Sequence, residues 1–289
     1  MRLRLRQLGS ALTLVSGLAL GGSATAAQLY SNGFETDIAG WDAFGGSFNA
    51  TRVASGTNGI TSADGAWHAE SSGGATNASG SATNFGGYQF GAGGGVAAAF
   101  QEYTTSLDIY LDVDGGWAND TRFDYSSAIN NSSGGFLRDF VFNAGFYDAA
   151  DGTGPGAGTN RFVLSASHNA GRGNSFPKNP GRDPIAIDMS GWYTFEHHFF
   201  DNAGVLAADL SILDAGGGLV HTWTLGGDNN DPIASTGGNR YGWIARNEFS
   251  TLAIDNSALD VADASAVPAP ASAVLLGIGL LGLSRRRRG

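Results

Sequence analysis

The 289-residue chain contains no cysteine, only seven prolines and few basic residues. Without cysteine it can form neither a disulfide framework nor a thiolate metal or redox site. Sixteen Lys and Arg residues stand against 26 Asp and Glu residues, so the formal net charge is −10. Because nucleic acids and anionic lipids are bound by clustered cations, this charge argues against both as partners. Stability must come from a buried core, for which the chain is long enough.

The chain also has few segments that could form long helices. The chain has 46 glycines, and Asn, Ser, Thr and Asp separate most of its apolar residues, which breaks helices outside the two ends. Segments that alternate apolar and polar residues predict short strands instead. The alternation is clearest in 106–113 and 191–200. Further strands are predicted over 136–147, 161–168, 207–213, 219–225, 241–246 and 252–261.

A glycine-rich loop at 214–218 joins two of these apolar segments and predicts a β-hairpin. The hairpin follows Trp192-Tyr193-Thr194-Phe195, and this order resembles the central strands of concanavalin-A-like and laminin-G-like jelly rolls. Short patterns at 32–35, 40–41 and 253–256 are similar to exported bacterial β-sandwiches. The resemblance implies an all-β fold, a single jelly-roll β-sandwich over residues 27–262, and leaves the function open.

The N-terminal 26 residues have the three parts of an export signal. Arg2, Arg4 and Arg6 form a basic region, an apolar stretch runs over 8–20, and Ala24-Thr25-Ala26 matches the small-x-small cleavage pattern. We therefore predict a signal peptide over 1–26, cleavage by signal peptidase, and a mature chain that begins near Ala27.

The C-terminus, 263–289, predicts a linker followed by a second targeting segment. A proline-containing motif at 267–270 precedes an apolar helix at 271–284 and an arginine cluster at 285–288. The apolar run is shorter than the ~20 residues of a stable membrane span, and the arginines would remain on the cytoplasmic side. The residues of the motif and the cluster are Val267, Pro268, Ala269, Pro270, Arg285, Arg286, Arg287 and Arg288.

This order of parts resembles the PEP-CTERM sorting signal of Gram-negative bacteria, with Ala269 at the position where the family usually has Glu. The resemblance implies recognition by an exosortase-type protease, transient anchoring in the inner membrane, and export to the cell envelope, cell surface or extracellular matrix. Cleavage after Ala26 and near the proline motif would remove seven arginines and no acidic residue. The mature chain would then have nine basic and 26 acidic residues, a net charge of about −17.

Catalytic patterns are weak. A glycanase of this fold needs paired carboxylates on one strand, and none of the five glutamates, Glu35, Glu70, Glu102, Glu196 and Glu248, stands in such a pattern. Glu196 with His198 is the nearest candidate, because the two share a strand face. No nucleophile elbow is present. We predict a protein that is not an enzyme, with a glycoside hydrolase or lyase of jelly-roll fold as the alternative.

Metal binding has one candidate. Asp112 and Asp114 end a predicted strand and precede two glycines, a pattern that suits calcium, although solvated turns have the same composition. His197 and His198 are adjacent and point to opposite strand faces, which argues against zinc. Calcium at Asp112 and Asp114 is therefore the only cofactor that the sequence suggests.

Sugar binding needs aromatic platforms beside side chains that pair with hydroxyl groups. Trp67 and Trp117 stand in loop-like surroundings, and Asn119 and Arg122 follow shortly after the second. These four residues are the predicted glycan-binding site. The expected function is an exported cell-surface or exopolysaccharide-matrix protein that binds glycan or is structural.

Overall fold

The computed structural model describes residues 27–39, 41–43, 50–71, 84–86, 99–168, 177–226 and 231–262. The predicted signal peptide and the predicted sorting segment lie outside these ranges. Ala26–Ala262 forms one compact unit. Across the described ranges no helix is long and apolar enough to cross a membrane. The helices described are three 3₁₀ turns, at Thr57–Gly59, Pro180–Arg182 and Ile233–Ser235.

Fifteen strands make up the described unit. In chain order they are β1 (Ala27–Asn32), β2 (Asp42–Ala43), β3 (Ala50–Ala54), β4 (Trp67–Ser71), β5 (Asn84–Gly86), β6 (Tyr103–Leu111), β7 (Thr121–Asn131), β8 (Phe136–Tyr147), β9 (Arg161–His168), β10 (Ile185–Ile187), β11 (Gly191–Asn202), β12 (Val205–Asp214), β13 (Leu219–Gly226), β14 (Thr236–Asn247) and β15 (Leu252–Val261).

These strands form two antiparallel sheets. Sheet A has the order β13-β12-β11-β6-β15-β4-β3, and β1 also pairs with β15. Sheet B has the order β10-β9-β8-β7-β14-β5-β2. The expected all-β class is confirmed, and its antiparallel pairing fits the short connections between successive strands.

Aromatic side chains from both sheets meet in one core. Phe123 and Phe142 of sheet B lie 5.9 and 5.2 Å from Phe195 of sheet A, measured between ring centroids. All three are fully buried. His197 lies in the same layer and donates through Nε2 to the carbonyl oxygen of Phe140 at 3.0 Å. The sheets therefore pack face to face, as in a β-sandwich.

The alternation in β6 and β11 was predicted correctly, since the residues expected to share a face are buried and their neighbours are partly exposed. The predicted 214–218 hairpin is also confirmed: the Asp214 carboxylate accepts from the amides of Gly216 and Gly218. The loop-like assignment of Trp67 was wrong, since Trp67 begins β4. Arg122 is the second residue of β7, a strand that the sequence did not predict.

Candidate functional site

A pocket of about 650 Å³ opens where β7 begins and β8 ends. Its lining is polar except for one aromatic ring and one proline. We call it the Tyr147 pocket. It is lined by Asn119, Asp120, Arg122, Tyr147, Asp151, Lys178, Asn179 and Pro180.

Strand register brings these distant segments together. Thr121 pairs with Phe146 across β7 and β8, and the amide of Asp120 donates to the Phe146 carbonyl at 2.9 Å. Asp120 has a φ of 67°, a conformation that Asp tolerates better than most residues. This bend precedes β7 and sets the Asp120 side chain beside the end of β8.

A buried arginine holds the loop 148–160 that forms one wall. The guanidinium of Arg161 is fully buried and donates to five backbone carbonyls of this loop. It also lies 3.4 Å from the Asp151 carboxylate. Because a buried cation needs partners for its donors, the loop and Arg161 stabilise each other. The Asp151 side chain is thereby fixed at the pocket wall.

Two ion pairs face the pocket. Arg122 donates through Nε and Nη2 to the two carboxylate oxygens of Asp120 at 2.8 and 2.7 Å, the bidentate geometry typical of this pair. Lys178 lies 2.7 Å from Asp151. The hydrogen bond from Lys178 is the main reason that the pKa of Asp151 is well below its usual range. Every charged side chain of the lining thus has an opposite charge in contact.

Tyr147 forms the apolar part of the lining. Its side chain is almost fully buried, and the Lys178 ammonium lies 4.1 Å from the ring centroid. The Tyr147 hydroxyl has no solvent-accessible surface and no partner at ordinary hydrogen-bond distance. Burial, and next its interaction with the Asp120 carboxylate, raise the pKa of Tyr147 well above its usual value. Because the hydroxyl is inaccessible, a ligand in the pocket cannot contact it while the side chain keeps this position.

The outer face of sheet B continues from the pocket as a polar row. Asp124 on β7 pairs in register with Asn143 on β8 and with Arg246 on β14. Asn143 donates to the Asp124 carboxylate at 2.7 Å, and the Ser167 hydroxyl donates to Asn143 at 2.8 Å. Burial raises the pKa of Asp124 to about 6, against the lowering effect of the Asn143 hydrogen bond.

Two of the four predicted glycan-binding residues lie in the pocket. Asn119 is exposed, and its Oδ1 accepts from the Asp148 amide at 3.2 Å, which leaves its NH2 group for a ligand. Arg122 lies opposite, paired with Asp120. Sequence reasoning missed Tyr147, Asp151 and Lys178, because they come from other segments and only register and loop packing bring them to the site.

The structure places Trp67 elsewhere, on β4 of sheet A. The guanidinium of Arg52 covers its ring at 3.5 Å from the centroid, and the Glu35 carboxylate accepts from the Trp67 amide. This Trp67 face is therefore occupied by a cation–π contact within the chain.

Trp117 packs under the turn that carries the predicted calcium ligands. Its ring contacts Phe249 edge-on, and its indole NH donates to the carbonyl of Asp112 at 2.8 Å. The Asp112 carboxylate accepts from the Asp114 amide at 3.1 Å, as in an Asx turn. Within the described ranges no group of three or more His, Asp or Glu side chains could hold a metal ion. Calcium binding by Asp112 and Asp114 stays a prediction.

No protein-family model and no curated protein matches this chain. Among solved structures, it is similar to the CBM2 module of the evolved Dit protein of Lactobacillus casei BL23 phage J-1, with a TM-score of 0.41 and 9% identity over 83% of this chain and 98% of that one. It is also similar to winged bean acidic lectin complexed with methyl-α-D-galactose, with a TM-score of 0.32 and 8% identity over 82% of this chain and 99% of the lectin chain.

Proposed function

We propose that this chain is a non-catalytic, exported glycan-binding protein whose binding site is the Tyr147 pocket. The pocket is large enough for one or two sugar units, and it combines hydroxyl-pairing donors and acceptors with one aromatic side chain, as sugar sites do. The observation that carries the proposal is the pair of exposed side chains in the lining, Asn119 and Asp120, which can pair with sugar hydroxyls while Asp120 keeps its ion pair with Arg122.

The proposed setting is the cell surface or an exopolysaccharide matrix. It is supported by the sequence alone, through the signal-peptide pattern at 1–26 and the PEP-CTERM-like pattern at 263–289. Processing by signal peptidase and an exosortase is part of the proposal, and so is the assignment of the two-sheet fold as a jelly roll. Intact mass of the native protein would test the processing, with a C-terminus near Pro268 as the expected result.

The binding proposal is tested with one substitution at an exposed residue of the lining. Asn119→Ala should weaken retardation of the purified full-length chain in affinity gels that contain polysaccharide by about fivefold or more, since the Asn119 NH2 group is available to a ligand. The substitution removes one hydrogen bond, to the Asp148 amide, so the free energy of unfolding should fall by no more than about 1 kcal/mol.

A matched control is Asn202→Ala. Asn202 is exposed at the end of β11 and does not line the pocket. The same change of side chain there should leave retardation unchanged. The proposal is wrong if the panel of dextran, galactomannan, alginate and polygalacturonate gives no retardation, or if retardation is the same in Asn119→Ala.

A polysaccharide-active hydrolase or lyase is the second candidate, and one observation favours it. Asp124 has a raised pKa, and ionised Arg246 and Glu248 contribute to its electrostatic surroundings, which is an arrangement suited to acid–base chemistry. Burial also raises the pKa of the sequence-based candidate Glu196, and His198 acts against this; the His198 imidazole itself lies 2.8 Å from the Glu102 carboxylate. Release of reducing ends or unsaturated ends from polysaccharide, abolished by Asp124→Asn, would establish this candidate.

A further inference from the structure

The charges of the Tyr147 pocket are neutralised in pairs at contact distance. Asp120 and Arg122 form a two-point pair at 2.8 and 2.7 Å, and Asp151 and Lys178 form a single contact at 2.7 Å. The Lys178 ammonium has further partners, the Thr153 hydroxyl at 2.9 Å and the face of Tyr147. The lining therefore has no net charge, and each of its cations lies against a carboxylate.

A ligand carboxylate has no favourable position in this pocket. To approach Lys178 or Arg122 closely, it would lie within a few ångströms of Asp151 or Asp120. Two like charges 4 Å apart repel by about 1 kcal/mol in bulk water and about 4 kcal/mol near a protein surface. The low pKa of Asp151 keeps that carboxylate ionised at neutral and mildly acidic pH. The acidic chain as a whole adds to the repulsion, with a formal net charge of −10.

An uncharged sugar meets the opposite situation, because each hydroxyl both donates and accepts. The Asp120 carboxylate is 46% exposed and can accept from sugar hydroxyls while it still pairs with Arg122. The exposed Asn119 NH2 group can donate. A sugar hydroxyl can thus be bound without the breaking of either ion pair.

We propose that the Tyr147 pocket selects uncharged, hydroxyl-rich sugar units and rejects uronic acids, an inference that rests on the proposed function. In a matrix of mixed composition, the protein would then attach to neutral segments. The ion pairs act as the specificity-determining element, since they supply hydrogen-bonding groups while they cancel the charge that would attract an acidic sugar.

Two neutral and two acidic polysaccharides test this inference on the purified full-length chain. Affinity gels and calorimetry would compare dextran and galactomannan with alginate and polygalacturonate. We expect at least one neutral polymer to bind at least tenfold more tightly than either acidic polymer. The binding should change less than twofold between about 50 and 500 mM salt, because no ligand charge is involved for salt to screen.

The substitution Asp151→Asn should change the preference. It removes one negative charge and leaves Lys178 without a carboxylate partner, so binding of alginate or polygalacturonate should increase at least fivefold and become sensitive to salt. Asp120→Asn serves as a second variant for the other pair, in case the first disturbs the loop held by Arg161. A thermal unfolding profile of each variant would establish that it is folded.

Asp201→Asn is the matched control. Asp201 accepts from the Gly204 amide in the β11–β12 turn, and β11 runs antiparallel to β6, which puts this turn at the opposite end of sheet A from the β6–β7 connection. The same change of charge there should leave all four affinities unchanged.

The outcomes separate this inference from the proposed function. If acidic polymers bind the wild-type chain more tightly than neutral ones and Asn119→Ala weakens that binding, the pocket binds glycan and the inference is wrong. If Asp151→Asn and Asp201→Asn raise acidic binding equally, the effect is one of overall charge and the inference is again wrong. If no binding depends on Asn119, both the inference and the proposed function fail.

Discussion

Arg161 carries its positive charge at a position with no solvent exposure, and its partners are almost entirely backbone carbonyls. A buried cation there stabilises the fold only because the loop 148–160 supplies carbonyl acceptors for the N–H donors of the guanidinium. The loop in turn has no strand partners of its own in this span. One side chain therefore replaces the hydrogen bonds that a strand would have provided, and the pocket wall depends on it.

We expect Arg161→Met to lower the free energy of unfolding by about 3–5 kcal/mol, because it leaves five carbonyls and the Asp151 carboxylate without this partner. Urea unfolding would measure the loss, and limited proteolysis should find new cleavage within 148–160. Arg246→Met is the control with the same change of side chain. Arg246 is 34% exposed and pairs with Glu248, so its loss should cost less than about 1 kcal/mol. Equal effects at the two positions would contradict the role given to Arg161.

At the level of strands, the backbone of β12 leaves no room for a side chain at Gly226, the last residue of β13. Gly226 has a φ of 149°, and a Cβ there would lie 2.7 Å from the Leu206 carbonyl oxygen and 2.8 Å from the Ala207 Cα atom. Both contacts are with backbone that β11 pairs on its other side, so neither can move without loss of register. Gly204, in the turn before β12, has a φ of 90° and open space around it.

We expect the substitution of glycine by alanine to lower stability by different amounts at these two positions. Gly204→Ala should lower stability by about 1 kcal/mol, since only the backbone conformation is unfavourable for alanine. Gly226→Ala should lower it by about 2–4 kcal/mol, because a steric overlap is added to a conformation that is nearly restricted to glycine. Thermal and urea unfolding of the two variants would give the difference. A smaller loss for Gly226→Ala would mean that the end of β13 is free to move away from β12.

The alternation of β6 and β11 was predictable because one face of each strand is apolar and buried while the other face is partly exposed. β7 was not predictable in the same way. Its outer face bears Arg122, Asp124 and Ser126, which read as turn residues although they lie in a buried polar row. Asn119 and Arg122 were found because the polar cluster after Trp117 is visible in the chain. Their partners in the pocket were not, because strand register is a property of pairing between distant segments.

For the molecule as a whole, a fall in pH has two opposite effects on the free energy of unfolding. Burial lowers the pKa of His197 to about 3, while an unfolded histidine has a pKa of about 6.5. Between these values only the unfolded chain binds the proton, so stability is lost as the pH falls from about 6.5 toward 3. Burial raises the pKa of Asp124 and Asp255 to about 6 and that of Asp139 to about 7. Their contributions are full below the unfolded value of about 4 and are lost as the pH rises through the folded values.

The three raised aspartates outweigh His197 and His68, whose pKa burial also lowers, between about pH 4.5 and 7. Below about pH 4 the lowered histidine pKa values and the lowered pKa of Asp151 all reduce stability as the pH falls. We therefore expect the free energy of unfolding to rise as the pH falls from 7, to pass through a maximum near pH 4.5, and to fall steeply below pH 4.

His197→Gln keeps a donor for the Phe140 carbonyl and cannot titrate, so it should flatten the acidic side of this profile. Asp255→Asn should flatten the neutral side, because Asp255 is fully buried. Urea unfolding at intervals of about half a pH unit would measure all three profiles. A wild-type maximum near pH 7 would mean that these aspartates are ionised in the folded protein at little cost, and water would then have to reach the polar row and the Asp255 side chain.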